Sequence, residues 1–342
     1  MTSFVDKKAT LILGGPIKVS GSVRLPHRLS CSTAGPGAGS LGIVIAFEGM
    51  HVKKAISIDK GEFELVQVGN RYSLLRNGSM FISEIEIQPV IFHAPDQAFF
   101  NLDNRCIYRC AFCSAPLIDD TKEKSRDLNG VIEQIIETHR NGPFGAVAIT
   151  SGIPDTPEDT VERMVYVVRK VRESLPDVSI GVEPYITSMD QIDDLKRAGA
   201  DEIKLNIESS NREIFAKVCS NKDYDLILRS IEHAAAVFGK GMVSSNIIIG
   251  MGETDEDVLE GVEHLASLGC VATIRSIRTN DMNRWAIDQI LGKVEKVDEG
   301  RLLRLGKGQK RILEEHGLTT LNFKTMCHRC GCCDIVPFVD II

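Results

Sequence analysis

The hydrophobic positions follow two different patterns, one on each side of residue 95. Up to that point, short apolar runs are separated by turns rich in Gly and Asn, which is typical of β-strands. The predicted strands are Thr10–Leu13, Ile17–Ser20, Gly42–Phe47, Phe63–Val68, Tyr72–Leu75 and Ser83–Ile87. The glycine-rich stretch Ala34–Ser40 is predicted to be a surface loop, with an anion-binding nest of backbone amides as the alternative. The pattern predicts a small β-rich domain over residues 1–95.

Beyond residue 95, apolar strands alternate with amphipathic helices. A first strand near Phe99 is followed by predicted strands at Gly145–Thr150, Val178–Glu183, Glu202–Glu208, Met242–Gly250 and Val271–Ile277. The predicted helices are Leu128–Arg140, Glu158–Ser174, Met189–Ala198, Tyr224–Phe238 and Thr254–Leu268. Continuous apolar strands separated by helices indicate a parallel sheet covered by helices. We therefore predict an α/β fold, with a partial (β/α)6 barrel over residues 96–320 and a short C-terminal tail over residues 321–342.

Three cysteines follow the first barrel strand at C-x3-C-x2-C spacing: Cys106, Cys110 and Cys113. Three thiolates this close in sequence can bind one soft metal centre, and three ligands on a cluster of four irons leave one iron open. The alternatives are a zinc knuckle, or buried cysteines that coincide by chance. Zinc sites usually pair two C-x2-C units, whereas the next cysteine along this chain is Cys219.

Polar residues recur where successive predicted strands end. They are Thr150, Ser151, Gly152, Glu183, Tyr185, Asn206, Glu208, Asn246 and Gly250. Each one alone is explained equally well by a solvated loop or a helix cap. Because the carboxyl ends of parallel strands meet at one face of a barrel, their recurrence favours a site there.

The cysteine spacing, with the aromatic Phe112 just before the last cysteine, resembles the signature of the radical S-adenosylmethionine (SAM) superfamily. The resemblance implies a [4Fe-4S] cluster whose open iron is held by the amino and carboxylate groups of SAM, and an electron donor of the flavodoxin or ferredoxin type. An electron from the cluster then cleaves SAM to a 5′-deoxyadenosyl radical. Thr150, Ser151 and Gly152 occupy the position of the family's glycine-rich turn at the SAM amino group, although Ser-Gly replaces the commoner Gly-Gly-Glu.

Two further stretches, Leu205–Cys219 and Ile249–Asp257, resemble lipoyl synthase and the wider biotin synthase group. This resemblance covers roughly residues 101–280. It implies that Glu183, Asn206, Glu208, Asn246 and Gly250 bind SAM or substrate, with Glu208 also a catalytic candidate. Arg275 and Arg278 lie near the strand position where biotin synthase keeps an arginine beside its second cluster. They are catalytic candidates too, and salt bridges at the barrel rim are the alternative.

Four more cysteines stand within seven residues in the tail: Cys327, Cys330, Cys332 and Cys333. So many thiols in one segment predict an auxiliary iron–sulfur cluster, with zinc as the alternative. Ordinary lipoyl synthase instead carries its auxiliary cysteines before the radical SAM motif and ends in a serine ligand, and biotin synthase lacks such a tail. The arrangement looks like the archaeal-type lipoyl synthases that work as a pair of proteins.

Composition narrows the setting. Hydrophobic residues make up 43% and charged residues 25% of the 342 positions, as in soluble globular proteins. The formal charge of −7 disfavours nucleic acid as a partner but not an acidic carrier protein. No apolar run reaches the roughly 18 residues of a membrane helix, so we expect a cytoplasmic protein without a membrane partner. Ten cysteines in that compartment favour metal binding over disulfides.

Together these features predict a radical SAM enzyme that inserts sulfur at an unactivated carbon, in lipoyl cofactor biosynthesis on a carrier-bound octanoyl chain. The expected partners are SAM, the electron donor, a lipoyl-carrier protein and a second radical SAM protein. One alternative is another biotin-synthase-like radical enzyme, such as a mutase or a cofactor-assembly methylase. The other is a non-catalytic metal-binding scaffold.

Overall fold

The computed structural model describes residues 3–21, 23–31, 40–91, 94–117, 127–142, 144–294 and 296–342. The glycine-rich segment 34–39 lies outside these residues, so its interpretation as a loop or nest stays a prediction. None of the helices in the described ranges combines the length and the apolar composition that crossing a membrane requires.

The chain begins with a helix, α1 (Phe4–Leu13), where the sequence predicted a strand at Thr10–Leu13. That prediction is wrong because a four-residue apolar run cannot distinguish a strand from part of a helix. The deciding signal lies further upstream, in a capping box. The Ser3 side chain accepts from the Asp6 amide, and the Asp6 carboxylate accepts from the Ser3 amide.

Seven strands follow and form the first sheet. They are β1 (Ile17–Val19), β2 (Ser30–Cys31), β3 (Leu41–Phe47), β4 (Met50–Ser57), β5 (Phe63–Val68), β6 (Arg71–Arg76) and β7 (Ser79–Gln88). Their order is β2-β3-β4-β1-β5-β6-β7, and β3 also pairs with β7. The sheet encloses its own apolar cluster, to which Ile17, Ile45, Phe63 and Leu74 belong. The β-rich character of this region is thus as predicted, although β2 and β4 were not expected.

The second sheet is parallel, and its strands lie side by side in the order in which they occur in the sequence. Its strands are β8 (Gln97–Asn101), β9 (Ala146–Thr150), β10 (Ser179–Glu183), β11 (Glu202–Lys204), β12 (Val243–Ile249) and β13 (Cys270–Ser276). The helices are α2 (Leu128–Asn141), α3 (Pro157–Ser174), α4 (Met189–Ala198), α5 (Arg212–Val218), α6 (Tyr224–Phe238), α7 (Asp255–Ser267), α8 (Arg284–Leu291), α9 (Glu299–Glu315) and α10 (Met326–Cys330). Sheet order runs from β8 to β13 without a crossover. The partial (β/α)6 barrel is confirmed, while α5 and the last three helices were not predicted.

The C-terminal tail lies inside the barrel, against inward-facing residues at the amino ends of the strands. The Gln97 side chain binds both the amide and the carbonyl of Met326, at 2.8 Å each. The buried Glu202 carboxylate accepts from the amides of Lys324 and Thr325. A Cβ on Gly181 would stand 2.2 Å from the Thr325 side-chain oxygen, so only glycine leaves room for the tail there. The division into domains at residues 1–95, 96–320 and 321–342 stays a prediction.

Candidate active site

A cavity of about 320 Å³ opens at the carboxyl ends of the parallel strands. Its lining contains the cysteines of both predicted metal sites: Cys106, Cys110, Cys113, Cys327, Cys330, Cys332 and Cys333. The other predicted site residues in the lining are Phe112, Thr150, Ser151, Gly152, Glu183, Asn206, Glu208, Asn246, Arg275 and Arg278. Gly250 is not among the described residues that line it, and its amide donates to Glu253 (2.6 Å) in a turn. Two motifs that are far apart in the sequence therefore face one cavity.

The first cysteine set lies on the loop after β8, and backbone contacts from the segment after β9 hold this loop in place. The Gly152 amide donates to the Asp103 carbonyl, and the Ile107 amide donates to the Ile153 carbonyl, at 2.7 Å each. A Cβ on Gly152 would stand 2.2 Å from the Arg105 carbonyl oxygen. Glycine is required at residue 152 because the loop backbone passes so close.

Cys110 has a neighbour that the sequence did not reveal. Cys219, directly after α5, donates a hydrogen bond to Cys110 and lowers the pKa of that thiol to about 6, helped by Lys222 and opposed by burial. Burial raises the pKa of Cys113 to about 12. Since the thiolate is the form that binds metal, Cys110 is the more readily ionised of these two candidate ligands.

Polar side chains from successive strands form a connected row along the cavity. The Asn206 side chain donates to Glu183 (2.6 Å), and its oxygen accepts from the Asn246 amide (3.0 Å). The Asn246 side-chain oxygen is buried, and within the described ranges it has no hydrogen-bond partner. Glu208 has a left-handed backbone (φ 60°), and burial raises the pKa of its carboxyl to about 7. The row offers several acceptors to a ligand that carries hydrogen-bond donors.

A partly buried cation, Lys222, lines the cavity on the side of the loop cysteines. Its ammonium lies over the rings of Tyr108 and Tyr185, 5.6 and 5.2 Å from their centroids. Burial disfavours the charge, but Cys110 and Glu208 raise the pKa of Lys222 above its ordinary value. No sequence pattern pointed to Lys222, because a lysine in a polar turn before a helix is normally solvated.

The second cysteine set faces cations. Cys327 accepts hydrogen bonds from Lys204 (3.3 Å) and from Arg275 (3.2 Å). Arg275 also forms a two-point ion pair with Asp334, at 3.0 and 2.6 Å, so it is both a rim salt bridge and a neighbour of the tail thiols. Lys204 lies 3.8 Å from Glu183 and so stands between the tail and the polar row. Lys204 was missed, although a charged residue inside a predicted buried strand is itself a signal of function.

The backbone is strained at the residue before Cys327, and this strain helps to determine the position of Cys327. The preceding residue, Met326, adopts φ 61°, which is unfavourable for a residue with a side chain. Its amide and its carbonyl are both held by the Gln97 side chain. Such strain persists only where the surroundings hold it, and it is concentrated at functional sites.

The described histidine, cysteine, aspartate and glutamate side chains contain no group of three that could hold a single metal ion. A single zinc ion needs its sulfur ligands about 2.3 Å from one point. In an iron–sulfur cluster each thiolate binds its own iron, so the thiols do not share one coordination point.

Comparison with known proteins identifies the domain that carries the loop. Residues 100–265 match the family model described as the Radical SAM superfamily. This stretch includes Cys106, Cys110 and Cys113 and the next four strands of the barrel. Residues 100–265 are a radical SAM domain.

Curated relatives relate this radical SAM domain to biotin synthase and lipoyl synthase. A biotin synthase from Nautilia profundicola is 28% identical over 166 residues, which are 48% of this chain and 58% of that protein. A lipoyl synthase from Pyrobaculum aerophilum is 25% identical over 214 residues, 61% of this chain and 72% of that protein. A GTP 3′,8-cyclase from Clostridium botulinum is 21% identical over 46% of this chain and 49% of that protein. The chain therefore spans only part of each relative.

Solved structures support the same fold. Methylornithine synthase (PylB) superposes with a TM-score of 0.52 and 16% identity, over 65% of this chain and 69% of that one. The FeFe-hydrogenase maturase HydG from Carboxydothermus hydrogenoformans gives a TM-score of 0.54 and 16% identity, over 64% of this chain and 52% of that one. The radical SAM family implies a [4Fe-4S] cluster, SAM and a reductant. The radical SAM domain of this chain is similar to biotin synthase and lipoyl synthase.

Proposed function

We propose that this enzyme inserts sulfur at an unactivated carbon of a carrier-bound octanoyl chain, as one component of a two-protein lipoyl synthase. The observation that carries the proposal is that both cysteine sets line one cavity. A group held by the tail would then lie close to a group held by the loop. Lys204 joins the two sides, since it contacts both Cys327 and Glu183.

Cys106, Cys110 and Cys113 would hold the [4Fe-4S] cluster. With SAM bound, this cluster supplies a 5′-deoxyadenosyl radical, which can remove hydrogen from a carbon that acid–base chemistry cannot activate. The donor set fits, because the three thiols lie on one anchored loop beside the cavity. The Asn246 oxygen, which has no hydrogen-bond partner among the described residues, is the acceptor expected beside a ligand with donor groups.

The polar row and Lys222 would bind and orient SAM. The carboxylates of Glu183 and Glu208 and the Asn246 oxygen can accept from an amino group and from ribose hydroxyls. Lys222 presents a positive charge to a carboxylate on the same side as Cys110. Phe112, Thr150, Ser151 and Gly152 complete the wall next to the cysteine loop.

Cys327, Cys330, Cys332 and Cys333 would hold an auxiliary iron–sulfur cluster, which supplies the sulfur. The charges fit such a group, since a centre with several thiolates is anionic. Lys204 and Arg275 donate hydrogen bonds to Cys327. The Lys53 ammonium interacts electrostatically with Cys333 and Cys330. Zinc in the tail is the alternative.

The remaining partners follow from this proposal and from the sequence. The cluster needs an electron donor of the flavodoxin or ferredoxin type, and the octanoyl chain needs a lipoyl-carrier protein. A second radical SAM protein would complete the pair. A cytoplasmic location also stays a prediction.

The test is anaerobic reconstitution with iron and sulfide, followed by reaction with SAM, a reductant and an octanoylated carrier peptide. Mass spectrometry should detect 5′-deoxyadenosine and a peptide that has gained sulfur. Deoxyadenosine with a rearranged or methylated product would instead favour the mutase or methylase alternative. No deoxyadenosine with any substrate, together with stable metal binding, would favour the scaffold.

A further inference from the structure

A buried lysine of the first helix reaches into the tail. Lys8 on α1 is only 1% exposed, and its ammonium donates to the Gly331 carbonyl at 2.7 Å. The same group binds both carboxylate oxygens of Asp340, at 2.8 and 2.7 Å. Three acceptors satisfy all three donors of an ammonium, so this lysine is fully committed to the tail.

The acceptors of Lys8 belong to the segment that carries the tail cysteines and to the residues that follow it. Gly331 lies between Cys330 and Cys332 with a left-handed backbone (φ 61°), and its amide donates to the Cys327 carbonyl at 2.8 Å. One Asp340 oxygen also accepts from the Val336 amide (2.7 Å), which closes the chain just after the cysteines. Fixing the Gly331 carbonyl therefore fixes the peptide units that carry the two neighbouring thiols.

A second contact comes from β4. The Lys53 amide donates to the Cys332 carbonyl at 2.8 Å, and the Cys332 residue is only 1% exposed. Both contacts come from the β-rich N-terminal region rather than from the barrel. They are separate from the contacts that Lys204 and Arg275 make with Cys327.

We propose that the N-terminal region holds the tail cysteine loop in position, with Lys8 as the positioning residue. Burying an ammonium is unfavourable unless it is paired and hydrogen-bonded. We therefore explain the buried Lys8 ammonium by the tail groups that it orients, the Gly331 carbonyl and the Asp340 carboxylate. The metal-binding part of this inference rests on the proposed function. The positioning of the thiols themselves does not.

The experiment compares four variants: Lys8→Met, Lys8→Arg, the double variant Lys8→Met/Asp340→Asn, and Lys7→Met as the matched control. Lys7 is on the same helix, but its ammonium lies over Phe4 and Phe81 instead of the tail. The double variant removes the buried carboxylate that Lys8→Met alone leaves without its cation. In metal-free protein, the alkylation rate of each cysteine is measured by peptide mass spectrometry.

We expect Cys332 to react at least about tenfold faster in Lys8→Met and in the double variant, on the scale of losing one charge-assisted contact. The fully buried barrel cysteine Cys270 should keep its rate. Lys7→Met should behave like the wild type, and Lys8→Arg should restore part of the protection. After reconstitution, the Lys8→Met variants should lose tail iron and still cleave SAM.

Two results would overturn the proposal. One is unchanged Cys332 protection in both Lys8→Met variants. The other is equal acceleration of Cys332 and Cys270, which would make Lys8 a contributor to general stability only. If the tail binds no cluster, the iron measurement fails in the wild type as well, while the alkylation result still decides the positioning role.

Discussion

The two cysteine sites share a cavity but differ in the charges around them. Near the loop cysteines the wall presents acceptors, including Glu208 and the Asn246 oxygen, together with the partly buried cation Lys222. Near the tail cysteines it presents donors from Lys204 and Arg275. Acceptors suit a ligand with a cationic amino group and a sulfonium, whereas donors stabilise an anionic metal–thiolate centre. The two sets of thiols therefore lie in surroundings that suit two different kinds of bound group.

The largest effect should come from removing the loop thiols. Replacing Cys106, Cys110 and Cys113 together by Ala should abolish 5′-deoxyadenosine formation, because no ligands remain for the first cluster. The chain should still fold, since the barrel has its own apolar core. Deoxyadenosine is measured by liquid chromatography and folding by circular dichroism. Residual SAM cleavage in this folded variant would contradict the assignment of the loop.

The tail thiols should give the opposite outcome. Replacing Cys327 and Cys330 by Ala should lower the bound iron by about one cluster and stop sulfur transfer. SAM cleavage should continue, since the loop cluster keeps its three ligands. Iron analysis and product mass spectrometry check this. Unchanged iron together with one bound zinc per chain would reject a sulfur-donating tail.

Two lysines that line the cavity, the buried Lys204 and the partly buried Lys222, allow the two sites to be tested separately. Lys204→Met should weaken retention of the tail iron about 10- to 100-fold, as loss of a group that supports a metal ligand does. SAM affinity should fall less, because Lys204 lies 3.8 Å from Glu183 in the polar row but donates its hydrogen bond to Cys327. Lys222→Met should weaken SAM binding about tenfold or more and spare the tail. Chelator-driven iron loss and calorimetric SAM titration separate the two effects, and equal behaviour of both variants would break the comparison.

The smallest effect concerns the room inside the barrel. Gly181→Ala should destabilise the fold by about 1–3 kcal/mol, on the scale of overpacking a filled core, because its Cβ would meet Thr325. Gly145→Ala is the control, since its Cβ would meet nothing within 4 Å. Denaturant unfolding of the metal-free variants gives both values. A Gly181 variant as stable as the Gly145 variant would mean that the tail is not packed inside the barrel.

Local sequence was enough for most of the architecture and for both sets of thiols. The barrel strands are continuous apolar runs, and C-x3-C-x2-C is a short-range motif, so neither depends on distant contacts. The strand predicted at Thr10–Leu13 was wrong because the deciding helix cap, Ser3, lies outside the apolar run on which that prediction was based.

The contents of the cavity were less accessible to sequence reasoning. Cys219 and Lys222 acquire their roles from residues that they meet only in the folded chain, such as Cys110. Gln97 and Lys8 gain their roles from contacts with the tail, which is more than 200 residues away in each case. The pattern of hydrophobic residues does not indicate that the tail returns into the barrel.

Isotope labelling tests whether the tail supplies sulfur across the shared cavity. The enzyme is reconstituted with iron and sulfide enriched in a heavy stable sulfur isotope, and one turnover on the octanoylated carrier peptide is followed by mass spectrometry. We predict heavy sulfur in the product of the wild type and a sulfur-free product from Cys327→Ala/Cys330→Ala, with deoxyadenosine formed by both. Sulfur insertion by the double variant, or an unlabelled thiolated product from the wild type, would contradict it.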